Sequence, residues 1–373
     1  MIRIGITGQS GFIGTHLYNF LGLKDKEVNR IPFHDNYFSD QKELEMFVKQ
    51  CDVIVHLAAV NRHNDPQTIY DTNIGLVKQL ITAIDNTGTR PHILFSSSTQ
   101  EERDNIFGRS KREGRKLLSN WSDRTGAPFT GMVIPNVFGP FGNPYYNSVV
   151  ATFSHQLAHD EQPHVETDAQ LKLIYIGDLV EVIWYLIKNR VAAEEYKVTP
   201  TGEARVSEIL ALLQSFKEQY LEKGIIPDIS DTFSRNLFNT FVCYMDHVKV
   251  FPYNLNVNTD ERGSFVETVK LHSGGQVSFS VTKPGVVRGN HFHTRKAERF
   301  VVIRGKALIQ LRRIGTDRIM NFELDGTTPA YVDMPVWHTH NITNIGSDDL
   351  YTIFWISEFF DPADPDTFFE KVQ

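Results

Sequence analysis

The feature that most constrains this chain is a change of pattern near residue 247. Before it, short apolar runs alternate with amphipathic stretches at helical spacing; after it, strand-like runs follow one another between Gly, Pro and Ser turns. Strand–helix alternation builds βαβ units over a parallel sheet, whereas consecutive short strands build a sandwich or barrel. No single layer architecture takes both. The expected fold is an α/β Rossmann-type, doubly wound parallel sheet over residues 1–247, followed by an all-β sandwich or barrel over residues 248–373. A length of 373 residues suits two domains.

In the first part, strands are expected at 2–7, 28–33, 53–56 and 92–96, and helices at 12–22, 40–50, 69–86 and 109–125. Two further helices are expected near 177–190 and 205–222. In the second part, strands are expected at 264–271, 277–282, 299–303, 307–314, 331–334 and 351–357, and 361–365 reads as a surface loop.

Composition narrows the function. A net charge of −7 argues against nucleic acid as a partner. No run approaches the ~18 apolar residues of a membrane span, so no membrane association is expected. The start, Met1-Ile2-Arg3-Ile4, lacks the basic-then-apolar pattern of a signal peptide. Two distant cysteines, Cys51 and Cys243, exclude a disulfide scaffold and suit the cytoplasm.

Thr7-Gly8-Gln9-Ser10-Gly11-Phe12-Ile13-Gly14 follows the first strand and opens a helix. Glycines there permit a tight turn and close approach to a pyrophosphate, and the helix N-terminus offers N–H groups and a positive dipole end. The spacing resembles the T-G-x-x-G-x-x-G of the extended short-chain dehydrogenase/reductase family. His56-Leu57-Ala58-Ala59, Ser96-Ser97-Ser98, Pro135-Asn136-Val137-Phe138-Gly139-Pro140 and Ile176-Gly177-Asp178-Leu179 resemble later segments of that family. The resemblance implies cofactor contacts from Gly8, Gly11, Phe12, Ile13, Gly14, Leu57, Ala58, Ala59, Pro135 and Asn136. It implies a catalytic role for Ser98, with Ser97 as the alternative, and weaker contacts from Asn147 and Ser148.

The family's Tyr-x-x-x-Lys reads Phe107-Gly108-Arg109-Ser110-Lys111 here. Lys111 is expected to hold the nicotinamide ribose and act in catalysis. Phe107 keeps the ring beside the cofactor but has no exchangeable proton, which puts reduction in doubt; Tyr145 or Tyr146 is a candidate substitute. Asp35 stands where an acid bonds the ribose 2′-OH of NAD(H), or is a solvated turn residue; Arg30 and Arg62 are candidates for the 2′-phosphate of NADP(H).

In the second part, Gly285, His291, His293, Glu298 and Gly305 fall in register. His291 and His293 are two apart on an expected strand and so share a face. Three imidazoles and a carboxylate would hold a divalent metal, with zinc the choice because the reading requires no redox chemistry. The pattern is similar to the cupin motif G-x5-H-x-H-x3,4-E-x6-G, and Pro335, His340 and Asn344 match the second cupin motif, with Trp337 in place of its glycine. His338 is the rival of His340, since alternation puts both on one face.

A short-chain reductase joined to a metal cupin resembles the family of bifunctional capsular-polysaccharide enzymes. Residues 143–149, 260–265, 288–291 and 359–362 add to that likeness. The resemblance implies a substrate, a UDP-linked 6-deoxy-4-keto-N-acetylhexosamine, and two reactions. The cupin inverts C3 of the UDP-2-acetamido-2,6-dideoxy-hexos-4-ulose. The reductase then reduces the C4 ketone, usually with NADPH, giving UDP-2-acetamido-2,6-dideoxy-L-talose. His338, Glu267 and Lys296 are candidates for the epimerisation base. A homodimer is also implied.

Overall fold

The structure, a computed structural model, describes residues 1–261 and 263–373, the side chains of 263–265 excepted. Arg262, within the 260–265 segment noted above, lies outside the described residues. The chain forms two compact units that it enters more than once. Met1–Phe138, Gly142–Val149 and Ala169–Arg205 make the first; Gly139–Phe141, Val150–Asp168 and Val206–Gln373 make the second.

The first unit is built on a parallel sheet in the order Val28–Ile31, Ile2–Thr7, Val53–His56, His92–Ser98, Phe129–Ile134, Ala193–Lys197. Its central strands are buried along their length, as a sheet covered on both faces requires. On one face Phe47, Val77, Leu80, Ile84, Leu118 and Trp121 pack with Ile54, Ile93 and Phe95. Helix Pro66–Thr87 starts where the Asp65 carboxylate accepts from Gln67 N–H at 3.1 Å, with proline in its first turn. Helix Ile106–Thr125 starts earlier than the expected 109. Asn105 caps it by accepting from Gly108 N–H at 2.7 Å, which draws Phe107 into the first turn.

The second unit contains two five-stranded antiparallel sheets, consistent with a cupin barrel. One runs Tyr253–Asn254, Ala330–Met334, Glu298–Arg304, Leu350–Ile356, Gln276–Thr282. The other runs Ile319–Asp325, Lys306–Arg313, His338–Asn344, Val287–Phe292, Phe368–Phe369. Strand Ile319–Asp325 was not among the expected ones. It is a sheet edge in which Phe322 and Leu324 are its only fully buried residues, so its apolar signal is short. The expected helix at 205–222 is Val206–Phe216, continued as a π-helical turn over Lys217–Glu222. Among the described residues no helix is long and apolar enough to cross a membrane.

Candidate active site and metal centre

In the first unit, the order reverses at strand Ile2–Thr7, which lies between Val28–Ile31 and Val53–His56. Ligands of open α/β sheets bind at the carboxyl ends of strands at such a reversal. The glycine loop leaves there. Gly8 has φ +70°, and a Cβ on it would sit 2.8 Å from the Ala58 nitrogen; a Cβ on Gly14 would meet the Gly8 carbonyl at 2.2 Å. Neither position accepts a side chain. Helix Phe12–Gly22 begins at Gly11 with no side-chain cap, so Phe12 and Ile13 present first-turn N–H groups for an anion. Leu57 N–H donates to the Thr7 carbonyl at 3.1 Å, which brings residues 57–59 beside the loop.

Asp35 joins this cradle: Ser10 Oγ donates to its carboxylate at 2.9 Å. Arg30 turns back onto the first helix, donating to the Tyr18 carbonyl at 2.9 Å and stacking 4.2 Å above the Tyr18 ring. Arg62 donates to the Tyr145 and Tyr146 carbonyls at 3.0 and 3.2 Å. The Tyr146 hydroxyl donates to Asn61 at 3.4 Å, so both tyrosines lie against the segment that follows the cradle.

The residues expected to serve reduction gather at the end of strand His92–Ser98. Lys111 is one turn past Phe107, with Nζ 5.7 Å from the Phe107 ring centre, 5.0 Å from that of Phe95 and 3.5 Å from Ser96 Oγ. Burial pushes its pKa down to about 8, against the pull of Glu101. Ser97 is committed elsewhere: it donates to the buried Glu101 carboxylate, which also takes Arg115 at 2.8 Å. Ser98 Oγ accepts from Gln100 N–H at 3.2 Å and keeps its own proton to donate. Pro135 is buried, and Asn136 is exposed and donates to the Lys172 carbonyl at 3.3 Å.

In the second unit, His291, His293, Glu298 and His340 each bring one ligand atom to a point, all within 4.8 Å of one another. His291 and His340 stand opposite each other in one sheet, and Glu298 opens a strand of the other. His293 Nε2 and His340 Nε2 lie 3.3 and 3.1 Å from Glu298 Oε2, yet none of these three buried atoms is aligned for a hydrogen bond. Buried polar atoms left so are costly unless something else satisfies them. The far sides of the rings are fixed: His293 Nδ1 meets the Asp366 carbonyl at 2.5 Å and His340 Nδ1 the His338 carbonyl at 3.2 Å. That selects the tautomer whose Nε2 lone pair faces the cage, as metal-bound histidines require. Burial and the neighbouring imidazoles of His340 and His293 push His291 down to about 4, so it stands neutral. Burial alone would raise the Glu298 pKa, but the His293 and His340 imidazoles hold it well below the carboxylate range. The donor set fits a divalent metal.

His338 is not in this cluster; its Nδ1 meets the Val336 carbonyl at 3.0 Å. The turn before it has the conformation glycine would give: Trp337 has φ 59° and packs on Phe292 with ring centres 5.5 Å apart. Of the other candidate bases, Lys296 is buried and donates to the Pro365 carbonyl at 2.9 Å, and exposed Glu267 pairs with Lys270 at 3.7 Å.

Residues 4–199 match the NAD dependent epimerase/dehydratase family, and residues 258–368 match the polysaccharide biosynthesis C-terminal domain. A Pseudomonas aeruginosa protein, UDP-2-acetamido-2,6-beta-L-arabino-hexul-4-ose reductase, is 32% identical over 371 residues, covering 98% of each chain. The crystal structure of the capsular polysaccharide assembling protein CapF from Staphylococcus aureus is similar over 100% of both chains, at 34% identity and a TM-score of 0.64. The chain belongs to the NAD dependent epimerase/dehydratase family, in the group that includes CapF. A UDP-glucose 4-epimerase from Thermotoga maritima, at 20% identity and a TM-score of 0.52, shares the fold over 58% of this chain. Membership makes this an enzyme that uses a nicotinamide dinucleotide.

Two residues of the site carry no local sequence signal. Asp366 lies just past the expected surface loop, yet it is buried and accepts from Thr294 and Arg295 N–H at 3.1 and 3.0 Å and from Lys296 N–H at 3.1 Å. It thus clamps the loop between His293 and Glu298. Asn73 donates to the Val60 carbonyl at 2.9 Å and to Ser110 Oγ at 3.0 Å, tying the segment after the cradle to the Lys111 helix.

Proposed function

We propose that this chain is a bifunctional nucleotide-sugar enzyme in which residues 248–373 epimerise and residues 1–247 reduce. The substrate is a UDP-2-acetamido-2,6-dideoxy-hexos-4-ulose. The cupin inverts C3, and the reductase converts the C4 ketone into an alcohol, giving UDP-2-acetamido-2,6-dideoxy-L-talose on the way to UDP-N-acetyl-L-fucosamine for a capsule or O-antigen. The observation that carries this reading is the coexistence, in one chain, of a dinucleotide cradle and a four-ligand cage, at full-length similarity to a relative named for such a ketosugar.

His291, His293, Glu298 and His340 would hold the metal, Zn2+ by choice, and it supplies Lewis-acid stabilisation for charge developing on a ketone oxygen. His338, which faces the same side of its strand as His340, is a candidate with Lys296 and Glu267 for the base that takes the C3 proton, and a proton delivered to the opposite face by a second group completes the inversion. In the reductase, the cradle at Gly8, Gly11 and Gly14 holds the dinucleotide, which supplies the hydride. Lys111 holds the nicotinamide ribose, and Ser98 donates its proton to hold the ketone oxygen. Phe107 gives no proton, and Tyr145 or Tyr146 is the candidate substitute donor. The resemblance implies NADPH; Asp35 at the loop edge and the prior engagement of Arg30 and Arg62 support NADH. The ratio of the two KM values decides between them.

A homodimer through the cupin accords with the exposed apolar side chains of Val277, Phe279, Phe359 and Phe360, of which Phe279 is 68% exposed. The function is tested by incubating the ketosugar with protein and each dinucleotide and identifying the product by mass and NMR. Two mass units gained and an L-talo pattern support the full reading. Phe107 favours a second reading, in which the cupin epimerises and the first unit only holds the nucleotide sugar; the C3-inverted ketone accumulating with no dinucleotide oxidation would select it.

A further inference from the structure

Strand Lys306–Arg313 pairs antiparallel with strand His338–Asn344, setting Leu311 opposite His340 and Arg313 opposite His338. Directly opposite residues point to the same face, as do residues two apart. Arg313 therefore stands on the face that carries His340, at the end of its strand. Two residues of antiparallel strand span about 7 Å. That is comparable with the reach from the anomeric phosphate to the ketone edge of a pyranose.

The two adjacent arginines behave differently. Arg312, on the opposite face, donates to Glu370 at 2.9 Å and to the Val372 and Thr316 carbonyls at 2.9 Å. Arg313 has no carboxylate within ion-pair distance among the described residues; its guanidinium lies 3.6 Å from the centre of the Phe141 ring. Burial lowers its pKa, and the groups that oppose this are the Cys243 thiol and the Tyr244 phenol. Burial pushes Cys243 itself up to about 12, so it brings no negative charge at neutral pH. A half-buried cation without a counter-charge is costly.

Phe141 makes this contact from a left-handed backbone conformation, φ 66°, that bulky residues rarely adopt, and its ring also meets His338 edge-on at 5.9 Å. A guanidinium stacked on a ring keeps its edge N–H groups for a planar, two-pronged contact, the geometry that suits phosphate.

We infer that Arg313 is the anion-binding residue of the cupin pocket and takes the diphosphate of the nucleotide sugar, with Phe141 as its stacking platform. The inference rests on the epimerase reading of the cupin. Both residues belong to the second unit, and the glycine cradle belongs to the first.

The test uses the full-length protein without dinucleotide and follows solvent deuterium into the ketosugar, with UDP as competitive inhibitor. Arg313→Gln is expected to raise the substrate KM and the UDP inhibition constant at least tenfold, with kcat within about threefold and metal content unchanged. Arg313→Lys should recover part of the affinity, and uridine, which lacks phosphate, should distinguish none of the proteins. An unchanged inhibition constant in Arg313→Gln overturns the inference. Should that variant fail to fold, Phe141→Leu serves: a threefold or larger weakening of UDP supports the subsite, and none contradicts it. Absence of exchange in the unmodified protein would sink the epimerase reading instead. Calorimetric titration with UDP would then still judge Arg313, by whether one of two UDP sites per chain is lost.

Discussion

Lys111 and Phe107 share one helix face in the candidate active site, and each gives a separate prediction. Tyrosine at 107 would stand where the lysine charge lowers a phenol pKa, and general acid catalysis is typically worth ~10²–10⁴ in rate. Phe107→Tyr is therefore expected to raise dinucleotide oxidation at least a hundredfold at saturating ketosugar. No gain would show that another hydroxyl already supplies the proton. Lys111 itself is destabilising when charged. Its folded pKa of about 8 lies below the ordinary 10.5, so the unfolded chain binds the proton more tightly. The penalty is complete below pH 8 and relieved as pH rises from 8 to 10.5. Lys111→Met should be more stable in denaturant at pH 7, by up to roughly 3 kcal/mol. The difference should shrink toward pH 10.5; a constant difference would assign it to packing.

At the scale of elements, the parts legible in the sequence were those whose signal is local. The glycine cradle is a spacing within eight residues that sits between a strand and a helix, and the structure shows why two of those glycines admit no Cβ. The cage was legible for the same reason, since His291, His293 and Glu298 occupy one short segment. Trp337 is instructive because the glycine is gone while the left-handed turn remains, its strain offset by packing on Phe292. Asp366 was not legible. It closes the metal loop from 68 residues beyond Glu298 (366 less 298), and only the fold brings the two together. Residues that orient metal ligands are typically worth 10–100-fold in affinity. Asp366→Ala should weaken zinc binding by about that factor in a chelator competition while leaving dinucleotide binding unchanged. Unchanged zinc affinity would reduce Asp366 to a loop tether.

For the whole molecule, the sequence placed a change of architecture near 247, but the compact units interleave: Gly139–Phe141 and Val150–Asp168 belong with the cupin unit. Their apolar patterns are those of any α/β segment, so nothing local marks the excursion. Phe141, which stacks on Arg313, arrives by one of these excursions. The account rests on two chemistries in one chain: proton exchange at the metal-ligand cage and hydride transfer at the glycine cradle. The most direct measurement is solvent deuterium incorporation into the ketosugar without any dinucleotide, in the unmodified protein, Gly14→Val and His340→Ala. The account predicts one deuterium at C3 in the first two and none in the third. Exchange that survives the loss of His340, or that appears only when a dinucleotide is added, would contradict it.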